Sequence, residues 1–205
     1  MPVYKVIEGD AIVGIWKIKE VLSELESLID LNTEDTASYN RLIGDRRKKE
    51  WLATRILIQS IVKDISVTVI YDKHGKPFLS NNKLISISHT NGFVAVIIAS
   101  NKSVGIDIQV AKKNIEKGAY SFLSAKELDE LKGEEGFHKA HLYWCAKEAF
   151  YKQVGDSSLN IYSHFFICPF QLKQKGILQG LLFNSTVKIS LSYEIYDAFY
   201  LVWTV

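Results

Sequence analysis

Cysteine is scarce in this chain of 205 residues: Cys145 and Cys168 are the only two, and their spacing is not that of a metal site. Both read as reduced, structural thiols. Long apolar runs are missing too. The longest, Phe93 to Ala99, is far short of a membrane span. The opening Met1-Pro2-Val3-Tyr4-Lys5 has no signal-peptide core, so a cytoplasmic protein with no membrane partner is expected. There is also no excess of one charge. With 25 basic and 23 acidic residues the net charge is +2, too balanced for a general nucleic-acid binder, and any anion must be recognised by local clusters. No low-complexity segment occurs, and no Gly-x-Ser-x-Gly elbow supports a serine-hydrolase reading. What remains, at 47% hydrophobic and 23% charged, is a soluble globular chain of one large or two small units.

Periodicity places the elements. Two β-prone runs between Val3 and Ile18, separated by Gly9-Asp10, predict a hairpin. Helical spacing follows over Lys19 to Ile29 and again, as one long helix, over about Thr36 to Asp64. That helix carries the basic run Arg46-Arg47-Lys48-Lys49, which can be either a solvated face or an anion site. Strands are expected at Ser66 to Tyr71, Leu84 to Ser88, Phe93 to Ser100 and Val104 to Gln109. Ser124 and Glu127 form a capping box ahead of a short helix, and Phe137 to Val154 contains neither Gly nor Pro and reads as a second long helix. Strands at Phe165 to Phe170, Val187 to Tyr193 and Ala198 to Thr204 close the chain as a meander.

Within the second long helix, Trp144-Cys145-Ala146-Lys147-Glu148-Ala149-Phe150-Tyr151-Lys152 puts Glu148 and Lys152 on the same side as Trp144 and Tyr151. An exposed i,i+4 bridge would contribute only about 0.3–0.5 kcal/mol. The apolar neighbours imply a covered helix instead, where a carboxylate and an ammonium need partners such as a metal and a phosphate. In the strand before it, Asp107 and Gln109 share one face while Ile106 and Ile108 take the other. His138 and His141 lack a third ligand and read as packing or surface residues.

Gly75-Lys76-Pro77, Ser86-Ile87-Ser88-His89-Thr90, Gly105-Ile106-Asp107-Ile108 and the Trp144 to Lys152 block stand in the order and approximate spacing of the 4'-phosphopantetheinyl transferases. The chain most resembles the surfactin-synthetase-activating (Sfp-like) subgroup, in which one chain holds two similar halves. The resemblance implies an α+β fold with a pseudo-two-fold pair of subdomains, each a small antiparallel sheet with a long helix. It also implies a boundary near Asn101 to Val104. Residues 1–103 would supply coenzyme A nucleotide contacts, and residues 104–205 the magnesium and catalytic residues. The implied reaction moves the phosphopantetheine arm of coenzyme A to a serine of an apo acyl carrier protein and releases adenosine 3',5'-bisphosphate. A monomer would suffice.

Residue by residue, the resemblance assigns magnesium to Asp107, Gln109 and Glu148, and catalysis to Asp107, Glu148 and Lys152. Coenzyme A contacts fall to Arg55, Arg47, Lys76, Pro77, Ser88, His89 and Lys152, with Arg55 matching the family's nucleotide-binding region best. Gln109 stands where many members carry a glutamate, so weaker or differently hydrated magnesium is expected. Between Ala111 and Lys126, Lys112, Lys113, Lys117 and Lys126 face a single Glu116, a patch suited to an acidic carrier protein or simply a solvated face. Glu127 has a possible substrate role beside its capping role. Two other classes stay open: a non-catalytic coenzyme A or carrier-protein binder, motivated by Gln109, and a metal-dependent nuclease. The nuclease reading is weakened because Ala149-Phe150 does not provide a lysine two residues after the acid.

Overall fold

The computed structural model describes residues 3–7, 9 and 11–205. The chain begins with β1 (Val3–Ile7) and β2 (Ile12–Lys17), paired antiparallel as expected, although Asp10 of the expected turn lies outside the described residues. Short helices α1 (Leu22–Glu26) and α2 (Thr33–Asn40) lead to the long α3 (Asp45–Val62). The single helix expected over Thr36 to Asp64 is therefore two. Gly44, at φ +84° and without a side-chain cap, turns the chain between them. After it come β3 (Val69–Tyr71), β4 (Pro77–Leu79), β5 (Leu84–Thr90) and β6 (Phe93–Ala99).

The second half repeats this plan. Strand β7 (Ile106–Val110) is followed by short helices α4 (Ile115–Gly118) and α5 (Ala125–Asp129), the long α6 (Gly136–Val154) and a one-turn α7 (Ile161–His164). Strands β8 (Phe165–Ile167), β9 (Lys175–Leu182), β10 (Lys188–Ile195) and β11 (Phe199–Thr204) complete it. Two antiparallel sheets result, ordered β1-β2-β6-β5-β4-β3 and β7-β11-β10-β9-β8. Removing β1 leaves the same order in both: the first strand beside the last, then descending. The pseudo-two-fold α+β arrangement is thus present in the topology.

Layering explains the sequence pattern. Trp16, Val94, Val96 and Ile98 face α3, with Leu52, Ile56 and Leu57 of that helix in the same core cluster. The alternate residues Phe93, Ala95, Ile97 and Ala99 face the other sheet, against Ile106, Ile108, Leu201 and Trp203. Strand β6 is covered on both faces, and so it is the longest apolar run in the chain. On the far side, Tyr200 and Val202 of β11 and Leu191 of β10 pack on α6 through Leu142, Ala146 and Phe150. The order is α3, first sheet, second sheet, α6. The chain crosses from one sheet to the other between Ala99 and Ile106.

Candidate active site

Strand β7 is an edge strand of the second sheet, which has no counterpart of β1 among the described residues. Its partner in the sheet is β11, and the backbone N–H groups of Ile106, Ile108 and Val110 point the other way, into the junction with β5. Buried N–H groups need acceptors. They find them in three hydroxyls spaced two apart on β5: Ser86 Oγ accepts from Ile106 at 3.2 Å, Ser88 Oγ from Ile108 at 3.2 Å and Thr90 Oγ1 from Val110 at 3.3 Å. Ile85 and Ile87, which flank Ser86, belong with the α3 core. The Ser86-x-Ser88-x-Thr90 spacing is therefore a ladder that joins the two sheets.

The ladder also reaches the carboxylate. Ser88 Oγ donates to Asp107 Oδ1 at 2.7 Å. The same oxygen accepts from Lys152 Nζ at 2.8 Å, and Lys152 also donates to the Ile106 carbonyl at 3.1 Å. Asp107 is 6% exposed. Lys152 thus bonds across to β7, while no ion pair joins it to Glu148 one turn earlier on α6. Glu148, for its part, accepts no hydrogen bond among the described residues. Burial, then the Asp107 charge, push its carboxyl above the usual carboxylate range, and Lys152 pulls the other way. Burial and Asp107 also raise Cys145, on the same helix.

Helix α6 can lie this close to β7 because of Gly105. A Cβ there would stand 1.8 Å from the Ala149 carbonyl oxygen. A cleft of about 300 Å³ runs along α3, lined by Arg47, Glu50, Trp51, Arg55, Pro77 and His89. A second of about 160 Å³, sharing Pro77, is lined by His74, Lys76, Tyr151 and Lys152. A basic helix, a strand-end histidine and two carboxylates meet at the seam between halves. Residues 103–204, the half that contributes both carboxylates and Lys152, match the 4'-phosphopantetheinyl transferase superfamily.

That match covers just under half of the chain. The chain is also similar to the 4'-phosphopantetheinyl transferases AcpT of Salmonella typhimurium (strain LT2) and Escherichia coli (strain K12). Each is 26% identical over 124 residues, covering 57% of this chain and 64% and 63% of the respective relatives. The matched region is thus under two thirds of either relative's length. These relatives are of the AcpT type and do not identify the Sfp-like subgroup.

Set against the superfamily's motifs, the remaining candidates divide. Arg47 is exposed on the rim of the larger cleft. Arg55 is 5% exposed, bonded through Nε to Asp35 Oδ1 at 3.1 Å, and lies 3.3 Å above the Trp51 ring. His89 Nδ1 is 3.2 Å from Glu50 Oε2, and burial holds its pKa below 6.5 despite that carboxylate. Lys76 Nζ donates at 2.8 Å to both Ser103 Oγ and the Gln153 carbonyl, tying the β3–β4 turn to the end of α6. Burial lowers its pKa. Ser88 gives its one proton to Asp107. Glu127 is filled by Ser124, by Lys147 Nζ at 2.8 Å and by the Ile167 N–H at 2.9 Å, which accounts for its carboxylate within the fold. The Lys147 side it pairs with is fully buried; sequence spacing alone left this partner unseen.

Asp107, Glu148 and the Gln109 carbonyl are hard oxygen donors, and of the two carboxylates only Asp107 is bonded to a cation. That set fits a hard divalent ion such as magnesium, which takes one or two carboxylates and completes its shell with water and phosphate oxygens. Among the described residues no group of three or more His, Cys, Asp or Glu side chains is placed to hold a metal ion.

Proposed function

We propose that this protein is a 4'-phosphopantetheinyl transferase of the two-halved, Sfp-like kind, moving the phosphopantetheine arm of coenzyme A to a serine of an apo acyl carrier protein and releasing adenosine 3',5'-bisphosphate. The observation that carries the reading is the meeting of Asp107, Glu148 and Lys152 at the seam of two topologically matched halves. The superfamily match over residues 103–204 and the similarity to the AcpT proteins support it.

In this reading the nucleotide end of coenzyme A lies along the α3 cleft with Arg47 toward its phosphate, and the pyrophosphate is met by His89, Lys76 and Lys152. Asp107, Glu148 and Gln109 would hold magnesium, which supplies neutralisation of charge developing on the leaving phosphate. Glu148, which accepts no hydrogen bond among the described residues, takes the proton of the attacking serine. Lys152, held at Asp107, is placed to share its charge with a phosphate oxygen. The acidic carrier protein would approach Lys112 and Lys113, which rim an apolar cleft with Phe122 and Trp144, the latter one turn before Glu148 on α6.

The test is transfer of a labelled phosphopantetheine arm to an apo carrier protein. Glu148→Gln and Asp107→Ala are expected to lower the rate by about a thousandfold or more, with the far-ultraviolet circular dichroism of the parent. Parent-like turnover in either variant would overturn the assignment.

A further inference from the structure

Gln109 is the position at which this site carries one negative charge fewer than many superfamily members, and the structure shows what orients it. Its Nε2 donates to Thr90 Oγ1 at 3.2 Å and to the Val110 carbonyl at 3.1 Å. The amide can face only one way in this setting. A carbonyl oxygen accepts and never donates, so the NH2 group and not Oε1 must lie against the Val110 oxygen. A hydroxyl can donate or accept, so the Val110 carbonyl decides which way the amide faces; Thr90 Oγ1, itself held by the Val110 N–H, pins it there from the other half by accepting the second Nε2 bond. A glutamate at 109 would set a carboxylate oxygen against the Val110 carbonyl.

We infer that Thr90 is a positioning residue: from the N-terminal sheet it locks the Gln109 amide so that its carbonyl oxygen, unbonded among the described residues, serves as the neutral oxygen donor beside Asp107. The inference rests on the transferase reading and its divalent ion. The three rungs of the ladder then differ in kind. Ser86 bonds only the Ile106 backbone, whereas Ser88 and Thr90 each also bond a side chain of the ion-binding strand face. Removing the Ser86 hydroxyl should cost the fold a hydrogen bond and leave ion binding alone; removing that of Thr90 should cost both.

The experiment is a Mn²⁺ titration followed by electron paramagnetic resonance, with coenzyme A present, on the full chain and on Thr90→Val, Thr90→Ser and Ser86→Ala. Thr90→Val is expected to weaken Mn²⁺ binding by about tenfold, the low end for outer contacts to metal ligands. Thr90→Ser, which keeps the hydroxyl, should stay within about twofold, as should Ser86→Ala despite a lowered melting temperature. Unchanged affinity in Thr90→Val, or equal weakening in Ser86→Ala, would overturn the inference. Should Thr90→Val not fold, side-chain amide exchange in the parent decides: slowly exchanging Gln109 Nε2 protons support the lock, and solvent-like exchange overturns it. A parent that takes up no Mn²⁺ with coenzyme A would overturn the transferase reading and the inference together, whereas a normal parent beside an unaffected Thr90→Val overturns the inference alone.

Discussion

Arg47 and Arg55 sit two turns apart on α3 and both line the cleft along that helix, yet their surroundings give them different work. Arg55 is buried, paired with Asp35 and stacked on Trp51. Arg55→Ala leaves a poorly solvated carboxylate and is expected to destabilise the protein by about 2–3 kcal/mol in urea unfolding. Arg47→Ala, at an exposed rim, should change stability by less than about 0.5 kcal/mol and raise KM for coenzyme A about tenfold, the loss of one charge-assisted hydrogen bond. The reverse pattern would exchange their roles. The placing of Asp107 on a strand and Glu148 on a long helix was legible because each lies in a compact local motif. The commitment of Arg55 was not, because Asp35 lies 20 residues away on a helix separated from α3 by the Gly44 turn. Nor was the second use of Ser88 and Thr90: their spacing reads as an ordinary strand until β7 is known to be an edge.

At the scale of elements, the approach of β7 to α6 depends on the absence of one methyl group. Gly105→Ala would drive a carbon into the Ala149 carbonyl, so α6 must shift and carry Glu148 away from Asp107. A loss of about 3 kcal/mol in stability is expected, with transfer falling further than the unfolded fraction explains. Parent-like turnover per folded molecule would contradict this.

Helix α6 has a second anchor in His141, fully buried and stacked on Tyr200. Its Nδ1–H donates to the Phe137 carbonyl and its Nε2 accepts from the Lys112 N–H at 2.8 Å, an arrangement only the neutral ring can make. Burial lowers its pKa from 6.5. Below pH 6.5 the unfolded chain takes a proton that the folded chain refuses, so stability present above that pH is lost as the pH falls. His89, also lowered by burial, acts in the same direction. Melting temperature should therefore drop from pH 7 to pH 5, and His141→Asn should flatten part of that slope; an unchanged slope would remove His141 from the explanation. Element types were largely readable from periodicity. The shortening of the first helix to Leu22–Glu26 and strands β4 and β9 were not, since short or glycine-bearing segments owe their state to the neighbours they pair with.

For the whole molecule, the repeat is visible in strand order and not in residues: the two halves share a sheet topology and the placement of a long helix, while their side chains have diverged with their tasks. One half keeps a basic helix over a cleft and the other the carboxylates, and the proposed site lies where they meet. Lys76 and the hydroxyl ladder hold that seam from the N-terminal side, so the fold and the site are secured by the same contacts. The four motif blocks were sufficient to place the chain near the transferases because each block lines or braces this seam.

The most direct test is intact-protein mass spectrometry of an apo acyl carrier protein incubated with this protein, coenzyme A and magnesium. A gain of one phosphopantetheine, abolished by a chelator and by Glu148→Gln, is the expected result. Coenzyme A bound without any mass gain on a panel of apo carriers would contradict the transferase reading and leave a binding module in its place.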